Sequence, residues 1–124
     1  VIGNGDVPDG KTAKEMYEKT GCDLVAVGRG ALGRPWVFAE INAFLTGEPF
    51  TEPTAAEKAE IMLRHAERIC RYKGERIGIR EARKHAIWYT KGLRGKANLR
   101  NAMSAIESLD ELKQIAEQMI RENT

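Results

Sequence analysis

Cysteine is scarce: Cys22 and Cys70 are the only two in 124 residues, which excludes a disulfide framework, and no metal-ligand spacing joins them to His65 or His85. A reducing cytoplasm is the expected setting. Aromatic residues make up only 6% of the chain, and neither sign of charge dominates, the formal net charge being +2. No apolar run approaches the roughly 20 residues that span a bilayer, and no secretory signal is visible, so neither a membrane nor a metal is expected as a partner. Nor does any Ser-His-Asp set or paired-carboxylate arrangement emerge, so no catalytic residue is assigned on this chain. What is present, 42% hydrophobic and 31% charged residues, is the composition of a soluble globular domain.

The first 50 residues hold two similar junctions. Val1-Ile2 runs into Gly3-Asn4-Gly5-Asp6 and an amphipathic segment, Asp9 to Thr20, with Ala13, Met16 and Tyr17 at helical spacing and Gly21 as its stop. One βα period later, the apolar run Leu24–Val27 leads into the loop Gly28–Gly33. Pro35 then follows as a first-turn residue of a helix bearing Trp36, Val37, Ile41, Phe44 and Leu45. Two such junctions in succession predict the last two β/α units of a (β/α)₈ TIM barrel. In such barrels the loops after the final strands often form a phosphate site. A complete barrel takes about 250 residues, and the sequence opens at Val1 inside a strand-like run. The chain is therefore expected to be a C-terminal piece of a longer protein.

Phe50–Pro53 reads as a linker, and from Thr54 the pattern is helical only. Thr54 with Glu57 forms a capping box ahead of the apolar stripe Ala59, Met62, Ala66, Ile69 and Cys70, which ends at Gly74. A second helix is predicted to start near Ile77 to Ile79, to bury Ile79, Ala82, Ala86 and Tyr89, and to stop at Gly92. A short third helix is predicted around 97–106. Ser108 with Glu111 opens a last one with Leu109, Leu112, Ile115, Ala116, Met119 and Ile120 inward. The expected fold is thus mainly α: a helical bundle over residues 51–124, preceded over 1–50 by the remnant of an incomplete barrel. Two strands cannot close a barrel, so residues 1–50 are expected to be disordered, repacked, or paired with another copy through exposed strand edges.

Two sets of residues could carry chemistry. Glycines 3, 5, 28 and 30 let backbone amides approach a phosphate closely, and Arg29 adds a charge-assisted contact, although such glycines also simply close tight βα turns. Asn4 and Asp6 could bond a ligand's polyol or ring, or serve as turn residues. The second set is Arg80-Glu81-Ala82-Arg83-Lys84-His85, continued by Lys91, Arg94, Lys96 and Arg100: residues 76–100 carry eight basic side chains against one acid, Glu81. Positions 80, 83, 84, 87 and 91 share one helical face, which suits a polyanion such as RNA, although a charge run also describes an ordinary solvated face. Trp88 and Tyr89 could stack on bases or serve as packing, packing being expected of Tyr89 on the apolar face, and His85 could be a contact or a half-buried residue. Neither cysteine is expected to react: Cys22 precedes its strand, at the barrel end opposite a site, and Cys70 lies in a helix stripe.

With these motifs in view, the chain resembles the C-terminal part of a bacterial, FMN-dependent tRNA-dihydrouridine synthase. The resemblance rests on Gly3-Asn4-Gly5-Asp6, on Val27-Gly28-Arg29-Gly30-Ala31-Leu32-Gly33-Arg34-Pro35-Trp36, and on Arg80-Glu81-Ala82-Arg83-Lys84-His85 followed by Trp88-Tyr89-Thr90-Lys91-Gly92-Leu93. It covers nearly the whole chain. It implies an FMN-binding barrel and a helical domain that together grip tRNA. It implies also that FMN, recharged by NADPH, passes a hydride to a uracil ring flipped out of the tRNA while a barrel-loop cysteine protonates the neighbouring carbon. By position, Asn4, Gly5 and Asp6 would line the flavin side, Gly28 and Arg29 would hold its phosphate, and Arg83, Lys84, His85 and Lys91 would face the RNA. The barrel's first six strands and its catalytic cysteine are not in this sequence, so the chain alone is expected to be inactive and to bind FMN weakly. Two other readings fit the phosphate loops or the basic helix taken singly. One is another FMN-barrel oxidoreductase acting on a small molecule; the other is a non-catalytic RNA-binding helical module.

Overall fold

In the computed structural model, which describes residues 1–124, β1 (Ile2–Asn4) runs parallel to β2 (Leu24–Ala26), and α1 (Gly10–Thr20) connects them. A 3₁₀ turn (Arg29–Ala31) and α2 (Val37–Thr46) follow, then α3 (Ala55–Lys73), α4 (Glu75–Trp88), α5 (Lys96–Ser104) and α6 (Leu109–Glu122). The chain is therefore mainly helical, and it divides into two units, Val1–Glu52 and Pro53–Thr124. No helix is long and apolar enough to cross a membrane.

Local chemistry sets the elements of the first unit. Asp9 caps α1: its Oδ1 accepts the Thr12 amide at 2.9 Å, and that bond holds the Asp9 carboxyl below its ordinary pKa despite partial burial. Gly21, at φ 66°, ends the helix in the left-handed conformation expected of it. The strands pair Ile2 with Leu24, Gly3 with Val25 and Asn4 with Ala26, so both end level and their following loops leave from the same edge. Val7, Ala13, Val37 and Ile41 form the core, with Met16, Val25, Val27 and Ala31 packed against it. The predicted apolar face of α2 is only half covered. Val37 and Ile41 are buried, whereas Phe44 and Leu45 stay 47% and 41% exposed. Pro35 lies ahead of α2 rather than in its first turn, because consecutive tight turns, closed by Arg34 N to Ala31 O (3.1 Å) and Val37 N to Arg34 O (2.9 Å), delay the helix.

In the second unit α3 packs against α4 and α6, and α5 packs against both of these in turn. The Thr54–Glu57 capping box forms as the sequence predicts. Met62, Ile79, Leu99, Met103, Leu112 and Met119 are fully buried between the helices. A single residue, Gly74, joins α3 to α4, so α4 begins at Glu75, earlier than the apolar pattern indicates. It also ends earlier, at Trp88. Thr90 and Lys91 make tighter bonds, to Ile87 and Trp88, and the Thr90 hydroxyl donates to the Ile87 carbonyl at 2.6 Å. Lys91 therefore sits in a turn beyond the helix. At α6, Ser108 accepts the Glu111 amide at 3.2 Å, but Glu111 reaches past the cap to the Glu107 amide at 3.0 Å, so only half of the predicted capping box forms.

Candidate functional site

The level ends of β1 and β2 bring the loops carrying Asn4, Gly5 and Asp6 and carrying Gly28 and Arg29 to one edge of the sheet. Arg29 and Asp6 meet directly, Nη2 to Oδ1 at 2.6 Å, with side chains 82% and 78% exposed. Salt screening makes such a surface pair weak as a stabiliser. Its effect is to park a guanidinium over the loop. The amides of Arg29 and Gly30 donate to no backbone carbonyl, and a Cβ at Gly28 would meet nothing within 4 Å. Unspent amides, an open glycine and an exposed guanidinium form a donor set that fits a phosphate.

The four loop glycines do not share one role. A Cβ at Gly3 would lie 2.7 Å from Met16 Sδ and 2.8 Å from Cys22 Sγ, and one at Gly30 would collide with the Val7 carbonyl oxygen. Both are needed for close packing within the unit. Gly5 meets only the flexible end of Met16, at 3.2 Å. Arg34, the other arginine of the motif, is structural: it donates to the Pro8 carbonyl at 3.0 Å and pairs with Glu40 at 3.2 Å and Glu52 at 3.5 Å. Only Arg29 remains for a ligand.

In the second unit Arg80, Arg83 and Lys84 share one side of α4, and Lys91 lies in the turn beyond it. Arg83 donates from Nε to the Ile106 carbonyl at 2.7 Å and lines a cleft with Arg76 and Arg80, whereas Lys84 is exposed. His85 is half-buried: its ring lies 4.6 Å from that of His65 on α3 and edge-on to Trp88 at 5.4 Å. His65 Nδ1 is in turn 3.2 Å from the Tyr89 hydroxyl. Burial lowers the pKa of His65, and the charges of His85 and Arg68 push it the same way; burial raises that of the Tyr89 phenol to about 12. Tyr89, 2% exposed, packs in the core, and Trp88 keeps 41% of its surface open. Both cysteines are buried and free, and burial raises the Cys70 thiol pKa, followed by the effect of Glu75. A thiol so placed is a poor nucleophile.

Sequence reasoning did not single out Arg76, His65 or Asn123. Arg76 stands four residues before Arg80, so helical spacing alone could have placed it on that face. His65 carries no local signal. Asn123 clamps the turn before α5, accepting the Arg94 amide at 2.8 Å and donating to the Arg94 carbonyl at 3.3 Å across 29 residues. Only the fold brings these together.

Residues 1–124, the whole chain, match the sequence model of the family described as dihydrouridine synthase (Dus). A probable tRNA-dihydrouridine synthase of Mycobacterium leprae (strain TN) is 48% identical over 113 residues, which are 90% of this chain and 29% of that protein. Another, from Rickettsia conorii (strain ATCC VR-613 / Malish 7), is 44% identical over 105 residues, 84% of this chain and 32% of that protein. The probable tRNA-dihydrouridine synthase 1 of Synechocystis sp. (strain ATCC 27184 / PCC 6803 / Kazusa) is 41% identical over 121 residues, 97% of this chain and 34% of that protein. The chain thus spans about a third of the length of the curated relatives it matches. With the family sequence matched from end to end, this chain belongs to the dihydrouridine synthase family.

Proposed function

We propose that this chain is the C-terminal portion of a flavin-dependent tRNA-dihydrouridine synthase, an oxidoreductase that reduces uridines of tRNA to 5,6-dihydrouridine. Unit Val1–Glu52 supplies the end of the FMN-binding barrel, and unit Pro53–Thr124 a helical domain that binds tRNA. The observation that carries the reading is the union, in one family member, of a phosphate-fitting loop pair with a helical unit whose residues 76–100 hold eight bases and one acid. The apolar side chains left open on the first unit, among them Ile2, Leu24 and Phe38 at 63%, 58% and 52% exposure, support its being one part of a larger barrel.

When bound, FMN recharged by NADPH supplies the hydride chemistry. The chain's own residues hold and orient. Arg29 and the Arg29 and Gly30 amides bind the flavin phosphate, and Asp6 keeps the guanidinium over the loop. Asn4, Gly5 and Asp6 line the flavin side. Arg83, Lys84, His85 and Lys91 face the RNA, with Arg83 held in place by the Ile106 carbonyl. The role assigned to this chain is binding, and the chain alone is expected to be inactive.

The test is made on the longer native protein. It is expected to purify with flavin absorbance and, with NADPH, to form dihydrouridine in tRNA, while Arg29→Ala loses flavin on dialysis. This chain alone is expected to bind FMN more weakly than micromolar. A longer protein that stays colourless when supplied with FMN would contradict the reading.

A further inference from the structure

The N-terminal half of α4 and the segment leading into α6 border an open cleft of about 400 Å³, lined by Glu75, Arg76, Ile79, Arg80, Arg83 and Glu107. Arg76, Arg80 and Arg83 stand at i, i+4 and i+7, one stripe of the helix, and buried Ile79 gives the cleft an apolar floor. None of the three arginines enters an ion pair. Arg83 spends only its Nε, on Ile106, which fixes the guanidinium and leaves both terminal nitrogens unspent. Two carboxylates also line the cleft, Glu107 and Glu75, whose Oε1 accepts the Leu109 amide at 2.9 Å, so three positive charges stand there against two negative ones. The excess of one guanidinium over the two carboxylates leaves the cleft net positive, which favours an oxyanion. The planar fork of arginine matches phosphate oxygens in pairs. Beyond Arg83, α4 and α5 border a second depression of about 340 Å³, where α4 gives Ile87 and α5 gives Ala97, Arg100, Asn101 and Ser104, so one more cation and two polar groups follow the cleft. A run of that kind suits a chain of phosphates better than a single small anion.

We propose that the cleft seats one internal phosphodiester of the RNA backbone, gripped jointly by Arg76, Arg80 and Arg83. The proposal rests on the tRNA reading above. It adds Arg76 to the basic face that already holds Arg80 and Arg83. Because three arginines share one phosphate, removing two of them forfeits about one phosphate's worth of counterion release, not two.

The experiment is a titration of labelled tRNA with this chain across a salt series, for the wild type and for Arg76→Gln combined with Arg80→Gln. Arg83 is left intact because it satisfies the Ile106 carbonyl, and circular dichroism checks that the double variant keeps its helices. The expected result is binding about tenfold weaker at low salt, with the slope of log affinity against log salt smaller in magnitude by about one. Unchanged affinity and slope in the variant, beside a wild type that binds, overturn the cleft while sparing the tRNA reading. A wild type that does not bind overturns both. Inorganic phosphate, followed through the Arg83 Nε–H resonance, separates the sources: displacement by tRNA supports the proposal, and phosphate that tRNA fails to displace contradicts it.

Discussion

Gly74 and Gly78, four residues apart, are each required, and for different reasons. Gly74 turns the chain between α3 and α4 at φ 79° and ψ 152°, a region open essentially to glycine alone, although a Cβ there would touch nothing within 4 Å. Gly74→Ala therefore acts through the backbone and is expected to cost about 1–3 kcal/mol. At Gly78 the backbone is ordinary helix, but a Cβ would lie 2.7 Å from Cys70 Cα, backbone that cannot step aside. Gly78→Ala is expected to push α3 from α4 at a cost of about 1–3 kcal/mol. Urea unfolding of both variants checks this, and a midpoint equal to wild type in either would show that its reason is wrong. Reading the sequence at this scale succeeds where the cause is local, as at the Gly21 stop, and fails where it is distant. Glycines 3 and 30 look like phosphate-loop glycines in the sequence. Their neighbours Met16, Cys22 and Val7 add a packing reason for both that the sequence does not show.

At the scale of the element, helix starts set by neighbouring residues are legible and those set by tertiary partners are not. Thr54 and Glu57 announce α3 because the capping box is contained in four residues. The early start of α4 follows from the one-residue turn at Gly74, and the Glu75 carboxylate serves the first amide of α6, 34 residues away, a link no local pattern announces. The basic run of α4 reads as one stripe on a helical wheel. In the fold Arg83 of that stripe turns to the Ile106 carbonyl, and His85, outside the stripe, is drawn against His65 and Trp88. The histidine pair gives α3 and α4 a pH dependence whose sign follows from His65. Its folded pKa is lowered by burial and then by His85, so the unfolded chain binds the proton first as pH falls. This contribution is undiminished above the unfolded value of about 6.5 and is lost as pH drops below it, toward the lower folded pKa. Thermal melting at a series of pH values from about 7.5 to 5 should show a decline that is smaller in His65→Gln. An equal decline in the variant would remove His65 as the cause.

For the whole molecule, two units with different chemistry follow one another. The first holds a small core and a loop edge with one exposed guanidinium, and the second is a helical packing that gathers the cations of α4, its following turn and α5. That division is visible in the sequence as the change from βα junctions to helical stripes after the proline-bounded linker. Where the apolar surface of the first unit goes is not legible there, since the match covers only about a third of each relative. The central claim is that the second unit's cations bind tRNA. The most direct measurement is the equilibrium affinity of this chain for tRNA across a salt series, with Lys84→Ala combined with Lys91→Ala as the comparison. Both lysines are exposed and neither closes a bond the fold needs. The account predicts saturable binding that falls steeply with salt, at about 0.7 to 0.9 of a log unit per phosphate contact, and a shallower slope in the variant. Binding that is absent at low salt, or that ignores salt, would contradict it.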